Sequence, residues 1–260
     1  MSPKRHTRAD EPFLLVRSLA SDHRAGDSIE RHAHDWHQLV YASGGVLNVW
    51  TEAGSWVAPP YWAIWVPAGT RHGIRFAAGS AFRTLYLRPD ACEALPQLCC
   101  VVTVSPLLCE LILKAGRIGM LDARAPAEAA LATLIIDEFR QARVPPFALP
   151  QPASAATKRV AQLMESSVEG PLEMAALARA AGIGQRTLER RFRAETGLAP
   201  AAWRRQRVLL AALERLAAGE PVKAVAADVG YRTPSAFVAA FRGAFGVTPG
   251  RYFERGIDPE

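Results

Sequence analysis

Residues 230–252 read GYRTPSAFVAAFRGAFGVTPGRY, and this stretch decides the fold of the C-terminal part of the chain. Thr233 is a good helix N-cap, and Pro234 suits the first helical position. Phe237 and Phe241 lie four residues apart, so both face the same side of the helix. Gly246 is typical of the residue that ends a helix. The stretch therefore predicts the second helix of a helix-turn-helix unit.

A related stretch stands earlier in the chain, where residues 182–203 read GIGQRTLERRFRAETGLAPAAW. Apolar, glycine and proline positions recur in the later stretch. At an offset of 48 residues, Met174, Leu177, Gly182 and Ile183 correspond to Val222, Val225, Gly230 and Tyr231. At an offset of 49 residues, Leu188, Phe192, Gly197, Pro200 and Trp203 correspond to Phe237, Phe241, Gly246, Pro249 and Tyr252. Such a repeat indicates a duplicated supersecondary unit. We expect helices over Leu172–Ala181, Gln185–Glu195 and Ala201–Ala218, and thus two helix-turn-helix units in tandem.

The outward faces of the two predicted second helices differ in charge. The first carries Arg186, Glu189, Arg190 and Arg193, and the second carries Ser235, Val238, Ala239 and Arg242. Arginine can read guanine and glutamate can accept from cytosine in the DNA major groove, whereas small apolar side chains suit the thymine methyl group. We predict that Arg186, Glu189 and Arg190 read bases, and that phosphates are held by Arg193, Arg204, Arg205 and Arg242.

The alternative is a helical bundle whose arginines form a solvated face. Two tandem copies, each with an inward aromatic residue and a terminal Gly-x-x-Pro, favour DNA binding over that alternative. The charge distribution agrees. Residues 154–260 hold 16 Lys and Arg against 11 Asp and Glu, whereas the first 153 residues hold 15 against 14. A basic excess on the predicted helical part suits an anionic partner.

The first hundred residues have a different pattern. Short runs rich in Val, Tyr, Trp and Phe alternate with turn signals, and they predict strands at His37–Tyr41, Val46–Thr51, Trp62–Val66 and Phe82–Leu87. Such spacing is typical of a small sandwich or barrel. Residues 106–141 then show two helical stripes, Leu107, Leu108, Leu111 and Ile112, and Leu131, Leu134, Ile135 and Phe139.

A proline-rich stretch separates these regions. Residues 144–152 contain four prolines, which cannot be helical and form a semi-rigid spacer. We predict a sensor domain at 1–143, a linker at 144–153 and a helical domain at 154–260.

Histidines cluster in the N-terminal domain. Residues 32–38 read HAHDWHQ, and His72 follows a tight turn at Pro67–Thr70. Three interpretations stay open. His32, His34, His37, Gln38 and His72 could hydrogen-bond a small effector. His32, His34 and His72 could instead hold a divalent metal ion, with Gln38 or His37 assisting. The histidines could also be purely structural.

Composition excludes several classes of protein. Half of the residues are apolar, which is enough to build a core, and no run of 18 apolar residues could span a membrane. The polar N-terminus lacks a signal-peptide core, so we expect a cytoplasmic protein. Cys92, Cys99, Cys100 and Cys109 form no C-x-x-C pair. We expect small buried side chains there, with a thiol sensor at Cys99 and Cys100 as the alternative.

Residues 154–255 resemble the DNA-binding domain of AraC/XylS-type transcription regulators. The resemblance rests on GYRTPSAF at 230–237, FR at 241–242, GVTPGRY at 246–252, LERRFR at 188–193 and TGLAP at 196–200. It implies that the positions of Arg186, Glu189 and Arg190 contact bases. We also include Gln185, at the start of the same predicted helix, in the DNA-binding set. It implies a second reading face at Pro234, Ser235, Val238 and Ala239. Polar residues are common at the positions of Pro234 and Ala239, so strong readout by the second unit is in doubt.

The N-terminal residues resemble cupin barrels, which carry H-x-H and P-x-G-x-x-H motifs; both motifs are present, at 32–34 and 67–72. Gln38 stands where metal-binding cupins place Glu, and its neutrality disfavours a dication. We expect that the protein requires no cofactor. A divalent metal ion in the N-terminal barrel is the one optional cofactor.

These observations together predict an α+β multidomain protein. A cupin-like β-barrel and two linker-side helices precede an all-α domain with two helix-turn-helix units. We expect a regulator that binds double-stranded DNA and a small effector. Helices 106–141 would pair in a homodimer, as they often do in related regulators, and an activator would also contact RNA polymerase. The alternative is a cupin-type metal oxygenase with a regulatory helical domain. The sequence names neither the effector nor the operator, and it does not distinguish activator from repressor.

Overall fold

The computed structural model describes residues 12–77, 79–93, 95–142, 149–166 and 173–254. The chain forms two compact units, the second of which begins at Leu149. Part of the predicted linker, residues 144–148, lies outside the described residues, so the domain boundaries stay a prediction. In the described part of the chain, no helix is long and apolar enough to cross a membrane.

In its described residues, the first unit contains ten strands in two hydrogen-bonded sheets. Their bounds are β1 (Leu14–His23), β2 (Ser28–His32), β3 (His37–Ala42), β4 (Leu47–Thr51), β5 (Ser55–Ala58), β6 (Trp62–Val66), β7 (His72–Phe76), β8 (Ser80–Leu87), β9 (Cys100–Thr103) and β10 (Met120–Asp122). The larger sheet has the order β10-β1-β8-β3-β6-β9, and the smaller has the order β2-β7-β4-β5. The sheet-rich domain is thus confirmed, but its strands form two sheets and not a closed barrel.

The six-stranded sheet is the middle layer of this unit. One of its faces packs on the small sheet through a core that includes Val40, Ile64, Ile74 and Phe76. Its other face packs on two helices, α1 (Pro106–Ile118) and α2 (Pro126–Gln141). All six residues of β3 are buried because both faces of that strand are covered. Because the small sheet covers one face of the large sheet and helices α1 and α2 cover the other, its apolar residues are buried without closure into the predicted barrel.

Helices α1 and α2 use their apolar stripes inside the unit. Leu108, Ile112, Ile135 and Phe139 are buried in the core against the large sheet. Only part of each predicted stripe stays outside, because Leu107 is 51% exposed and Leu134 is 49% exposed. Leu111 and Ile135, which pointed to pairing between subunits, are core residues. Most residues of the two stripes therefore pack the helices on the large sheet and are not available for pairing between subunits.

The second unit is helical throughout its described residues. Its helices are α3 (Ala155–Ser166), α4 (Met174–Ala180), α5 (Gln185–Thr196), α6 (Pro200–Ala217), α7 (Val222–Asp228), α8 (Pro234–Phe245) and α9 (Pro249–Glu254). Helices α4 and α5 form the first helix-turn-helix unit, and α7 and α8 form the second. The prediction for this domain is confirmed, with helix ends displaced by one or two residues; Leu172, the predicted start of α4, lies outside the described part.

Candidate functional site

Helix α5 presents a charged face that its buried side fixes in place. Leu188 and Phe192 are fully buried, and Phe192 packs edge-on against Trp203 of α6 with ring centroids 5.7 Å apart. Burial of these two residues directs the opposite face to solvent. The residues that the sequence predicts are all exposed: Gln185, Arg186, Glu189, Arg190 and Arg193. Arg191 and Ala194 of the same helix are exposed as well. Gln185 donates to Glu189 Oε1 at 3.1 Å, which links the first turn of the helix to the second.

Helix α8 has the same internal anchoring and a less polar outer face. The Thr233 hydroxyl accepts from the N–H of Ala236 at 3.2 Å, so it is the N-cap that the sequence predicts. Phe237 and Phe241 are fully buried. Pro234, Ser235, Ala239 and Arg242 are exposed, and Val238 is half-buried.

The two predicted phosphate contacts on α6 differ in accessibility. Arg205 is exposed, whereas Arg204 is half-buried with its Nε atom enclosed. Burial raises the pKa of Tyr231, and the positive charge of Arg205 opposes that shift. Arg205 therefore lies near the turn that precedes α8, and its position suits a phosphate contact better than that of Arg204.

Two further cations border this second turn, and the sequence interpretation missed both. A groove of about 500 Å³ runs between α7 and the start of α8, and Lys223 and Arg232 are among its lining residues. Both side chains are exposed. The available signal was Arg232 directly before the Thr233 N-cap, since a cation beside a helix start is at hand for any phosphate bound there.

Ion pairs and hydrogen bonds position the helices of this unit. Arg215 of α6 bonds both Glu220, which precedes α7, and Asp228, the last residue of α7. These bonds raise the pKa of Arg215, and they lower the pKa of Glu220. The contacts join residues 5 and 13 positions apart, which a helical pattern does not reveal. They hold the second helix-turn-helix unit to α6.

The segment that enters the helical unit is fastened to it. Trp203 Nε1 donates to the carbonyl of Pro150 at 2.7 Å. Glu195 of α5 accepts from the N–H groups of Ala153 and Ser154 and from the Thr157 hydroxyl. Burial alone would raise the pKa of Glu195, but these hydrogen bonds lower it to about 2. Glu195 thus acts as a cap for α3, supplied from another helix.

In the first unit, three histidines converge. The rings of His32, His34 and His72 lie with their centroids 4.5–5.7 Å apart. One ring nitrogen from each lies within 4.8 Å of the other two. His32 comes from the end of β2, His72 from the start of the neighbouring β7, and His34 from the turn before β3. The strand pairing between His32 and His72 brings the two motifs together.

Gln38 joins this cluster from β3. Its Oε1 lies 3.0 Å from His34 Nε2 and 2.8 Å from His72 Nε2. Its Nε2 donates to the hydroxyls of Thr84 and Tyr86 on the adjacent strand β8, at 3.0 and 3.2 Å. These two β8 residues orient the amide, and no local pattern in the sequence indicates them, because they lie 46 and 48 residues away.

His37 does not belong to the cluster. It follows the opposite face of β3, where its ring lies 4.9 Å from that of Trp65 and its Nδ1 accepts from the N–H of Ala68. It lines a groove of about 510 Å³ in the first unit, together with Pro67, Thr70, Asp90 and Glu93. The predicted effector set is therefore divided between the two sides of one strand.

Burial lowers the pKa of two of the clustered histidines, His34 and His72. Desolvation lowers the pKa of His72 to about 4 and lowers the pKa of His34, and neighbouring histidines add to both shifts. Desolvation also lowers the pKa of His37. The cost of charging a buried ring is the physical cause in each case.

Of the four cysteines, Cys92 is buried as expected, whereas Cys99, Cys100 and Cys109 are half-buried. Cys99 and Cys100 pack on opposite faces of the large sheet. Burial raises the pKa of each of these two thiols to about 11 and that of Cys92 to about 12. Thiols that stay protonated make poor redox sensors.

Comparison with known proteins gives family matches for both parts of the chain. Residues 15–177 match the AraC-like ligand binding domain family, and residues 177–255 match a helix-turn-helix domain family. The chain is 33% identical over 258 residues to the HTH-type transcriptional regulator NimR of Escherichia coli (strain K12), covering 97% of this chain and 90% of that protein. It is also 33% identical over 110 residues to the HTH-type transcriptional regulator RipA of Corynebacterium glutamicum, covering 42% of this chain and 33% of that one.

Among solved structures, fatty acid-bound ToxT from Vibrio cholerae strain SCE256 aligns over 98% of this chain and 100% of its own at 11% identity, with a TM-score of 0.40, which is too low to support an argument. The family matches and the extent of the similarity to NimR show the family to which this chain belongs. This chain belongs to the AraC family of transcription regulators, with an N-terminal ligand-binding domain and a C-terminal DNA-binding helix-turn-helix domain.

Proposed function

We propose that this regulator recognises DNA chiefly through α5 and holds the duplex through α8 and flanking arginines. The observation that carries the proposal is the exposed face of α5, where Arg186, Glu189 and Arg190 stand side by side. Arginine and glutamate supply the donors and acceptors that distinguish bases in the major groove. Gln185 lies at the start of the same face. Pro234, Ser235, Val238 and Ala239 form the second, weaker reading face.

Phosphate contacts are assigned to Arg193, Arg205 and Arg242, with Arg204 in a lesser role because it is half-buried. Lys223 and Arg232 join this set. Losing any one of these cations should weaken binding to all sequences about equally and flatten the salt dependence, since each phosphate contact releases counterions.

Selection from a random double-stranded DNA library, followed by footprinting of the full-length protein over a salt series, tests the proposal. We expect an enriched motif and protection of two successive major grooves on one side of the duplex. Enrichment of no motif at low salt, with uniform protection, would contradict sequence-specific reading. The DNA beside the protein's own gene is the first natural target to footprint.

The histidine side of the first unit is the proposed effector site, formed by His32, His34, Gln38 and His72. His37, on the other side of β3, borders a separate groove and would contact a ligand only there. We propose a regulator without catalytic activity, since the family and both relatives are regulators. The alternative of a metal oxygenase gains no specific observation, because the described histidine group includes no carboxylate that could transfer a proton.

Assembly and location are also proposals. The exposed Leu107, Ile118, Met120 and Leu134 support a homodimer formed through the α1 and α2 side of the first unit. Sedimentation at micromolar concentration tests it, and a monomer alone would contradict it. A protein whose partner is DNA would work in the cytoplasm, and as an activator it would contact RNA polymerase.

A further inference from the structure

The groove beside His37 in the first unit has the size and the polarity of a small-molecule site. Its volume is about 510 Å³, which is in the range of ligand sites in proteins. Its lining residues come from the turn at 67–70 and from the segment that follows β8, where they are Pro89, Asp90, Glu93 and Gln97. The groove lies across β3 from the histidine cluster, so it is a separate site.

Hydrogen bonds hold the turn at 67–70 in place. The N–H of Gly69 donates to the carbonyl of His34 at 2.9 Å. The N–H of Ala68 donates to Nδ1 of His37, also at 2.9 Å. This wall of the groove is therefore preformed, and a ligand would not have to bear the entropic cost of ordering it.

His37 presents a hydrogen-bond donor to the groove. Because its Nδ1 accepts from Ala68, the hydrogen of the ring lies on Nε2. The residue is only 6% exposed, and no residue in the described part of the chain accepts from that Nε2. Buried N–H groups are normally hydrogen-bonded, so we expect the acceptor to come from a molecule in the groove.

Negative charge lines the same groove. Asp90 and Glu93 are both exposed in its lining. Arg88 pairs with Asp90 at 2.6 Å, whereas Glu93 has no ion-pair partner among the described residues. The described lining includes no lysine or arginine. A cleft lined by one sign of charge attracts the opposite sign, so this groove favours a cation over a carboxylate or a phosphate.

The donor on His37 distinguishes an organic cation from a metal ion. A ring nitrogen that carries a hydrogen has no lone pair to offer a metal. Gln97 adds an acceptor, because its Nε2 donates to the carbonyl of Leu95 at 3.1 Å and its Oε1 faces no such demand. A molecule with N–H groups for the acceptors and an oxygen atom for His37 would satisfy both kinds of group.

We infer that this groove binds a small organic cation, whose ammonium or guanidinium group contacts Glu93 and Asp90 and whose hydroxyl or carbonyl oxygen accepts from His37. The inference goes beyond the proposed effector site, because it adds a second ligand site on the other side of β3. It does not depend on how the helical unit reads DNA.

Calorimetric titration of the full-length protein with two cations, glucosamine and N-acetylargininamide, tests the inference. We expect at least one of them to bind with one-to-one stoichiometry at about 0.15 M salt, where loose surface attraction is screened. N-acetylcitrullinamide is the matched neutral ligand for the second cation, since a urea group replaces the guanidinium at nearly the same shape. Its affinity should be lower by about tenfold, because hydrogen bonds to charged groups are the stronger ones.

Variants locate the site. Glu93→Gln removes the unpaired carboxylate and should weaken cation binding by about fivefold. Glu52→Gln is the matched control, because Glu52 is an exposed residue of the first unit outside the groove lining. It should change affinity by less than about twofold, since salt screens distant charges.

His37→Phe keeps an aromatic ring beside Trp65 and removes the donor. It should weaken binding by about threefold or more, the value of one neutral hydrogen bond. Circular dichroism would confirm that this variant folds, and Glu93→Gln gives an independent test on the exposed side of the groove.

Wild-type protein that binds neither cation at about 10 mM would overturn the inference. Equal affinity for N-acetylargininamide and N-acetylcitrullinamide would overturn it too, as would full affinity in Glu93→Gln, because either result would remove the role of charge. Full affinity in folded His37→Phe would remove the donor on which the class of ligand rests. DNA selection is measured separately, so failure here leaves the proposed reading of DNA intact.

Discussion

Helices α5 and α8 are two versions of one element. Both have a buried apolar residue in the second turn and a buried phenylalanine in the third, Leu188 and Phe192 in one and Phe237 and Phe241 in the other. Both end at a glycine in the left-handed conformation, Gly197 at φ 73° and Gly246 at φ 78°. The buried side and the C-cap set the orientation of each helix, and these are the features that the repeat retains.

The exposed sides have diverged. At an offset of 49 residues, the α5 face and the α8 face pair as Arg186 with Ser235, Glu189 with Val238, Arg190 with Ala239, and Arg193 with Arg242. Only the last pair is identical. A common scaffold therefore carries one charged face and one nearly uncharged face, and we expect base readout to be concentrated on α5.

The shared scaffold can be broken first. Phe192→Ala and Phe241→Ala should each destabilise the helical unit by about 3–5 kcal/mol, because each leaves a large cavity in a fully packed site. Denaturant unfolding followed by circular dichroism measures the loss, with Arg191→Ala as an exposed control on the same helix. A loss below about 1 kcal/mol in only one of the pair would show that the two units are not anchored alike.

The difference in readout is tested next. Arg190→Ala should cost about 1–3 kcal/mol at the selected site and relax base preference there. Arg191→Ala removes the same charge from the next residue, outside the proposed face, and it should lose affinity without relaxing preference. Binding isotherms on matched and mismatched duplexes measure both effects. Equal losses in the two variants would mean that α5 contributes charge and not base recognition.

A third test uses acid. Glu195 of α5 caps α3. Its counterpart in the second helix-turn-helix unit is Ala244, whose side chain cannot accept a hydrogen bond. The pKa of Glu195 lies at about 2, below its unfolded value of about 4.3, so its stabilisation is present above about pH 5 and is lost as the pH falls towards 2.

Glu195→Gln should cost about 1–2 kcal/mol of unfolding free energy at pH 7 and roughly half as much at pH 3. Denaturant midpoints of wild-type and variant protein at both pH values measure the difference. A cost that stays constant across that range would show that the charge of Glu195 does not stabilise the first helix-turn-helix unit.

The smallest effect concerns the helix starts. Thr233 caps α8 with its side chain, whereas α5 begins at Gly184, which has no side chain to do this. Thr233→Ala should cost about 1 kcal/mol, and Gly184→Ser should add a few tenths, about 0.3 kcal/mol. An added Cβ at Gly184 meets nothing within 4 Å, so steric strain would not obscure the gain. Thermal unfolding of the two variants gives the comparison, and a stabilised Thr233→Ala would refute the capping role.

The helical unit was predictable because its signals are local. Caps, glycines and i, i+4 apolar pairs placed α5, α6 and α8 to within two residues. Strand β6 was predicted at its observed ends, and β3, β4 and β8 were predicted approximately, but β1, β2, β5, β7, β9 and β10 were missed. Strand β1 reads LLVRSLASDH, with too many polar residues to suggest a strand. Strand β7 contains Gly73, whose missing side chain makes room for Trp50, since an added Cβ would lie 2.5 Å from that ring.

The histidine site was predictable only in part. Two motifs suggested His32, His34 and His72, but spacing alone could not show that His37 and Gln38 face opposite sides of β3. The orientation of the Gln38 amide depends on Thr84 and Tyr86, which the pairing of β3 with β8 brings beside it. Such information resides in strand register, and a single sequence does not state register.

The bonds from Arg215 to Glu220 and Asp228 explain how the nearly uncharged face of α8 could still contribute to DNA binding. These bonds fasten α7, and with it the second helix-turn-helix unit, to α6. Once α5 has bound DNA, α8 would therefore not have to reach the neighbouring major groove by free diffusion. The translational and rotational cost of association falls on α5 alone, and α8 then meets DNA at a high effective concentration. A face made of Ser235, Val238 and Ala239 would bind little by itself. Joined rigidly to α5, it would contribute avidity, and we expect small changes on that face to adjust affinity without altering the base preference of α5.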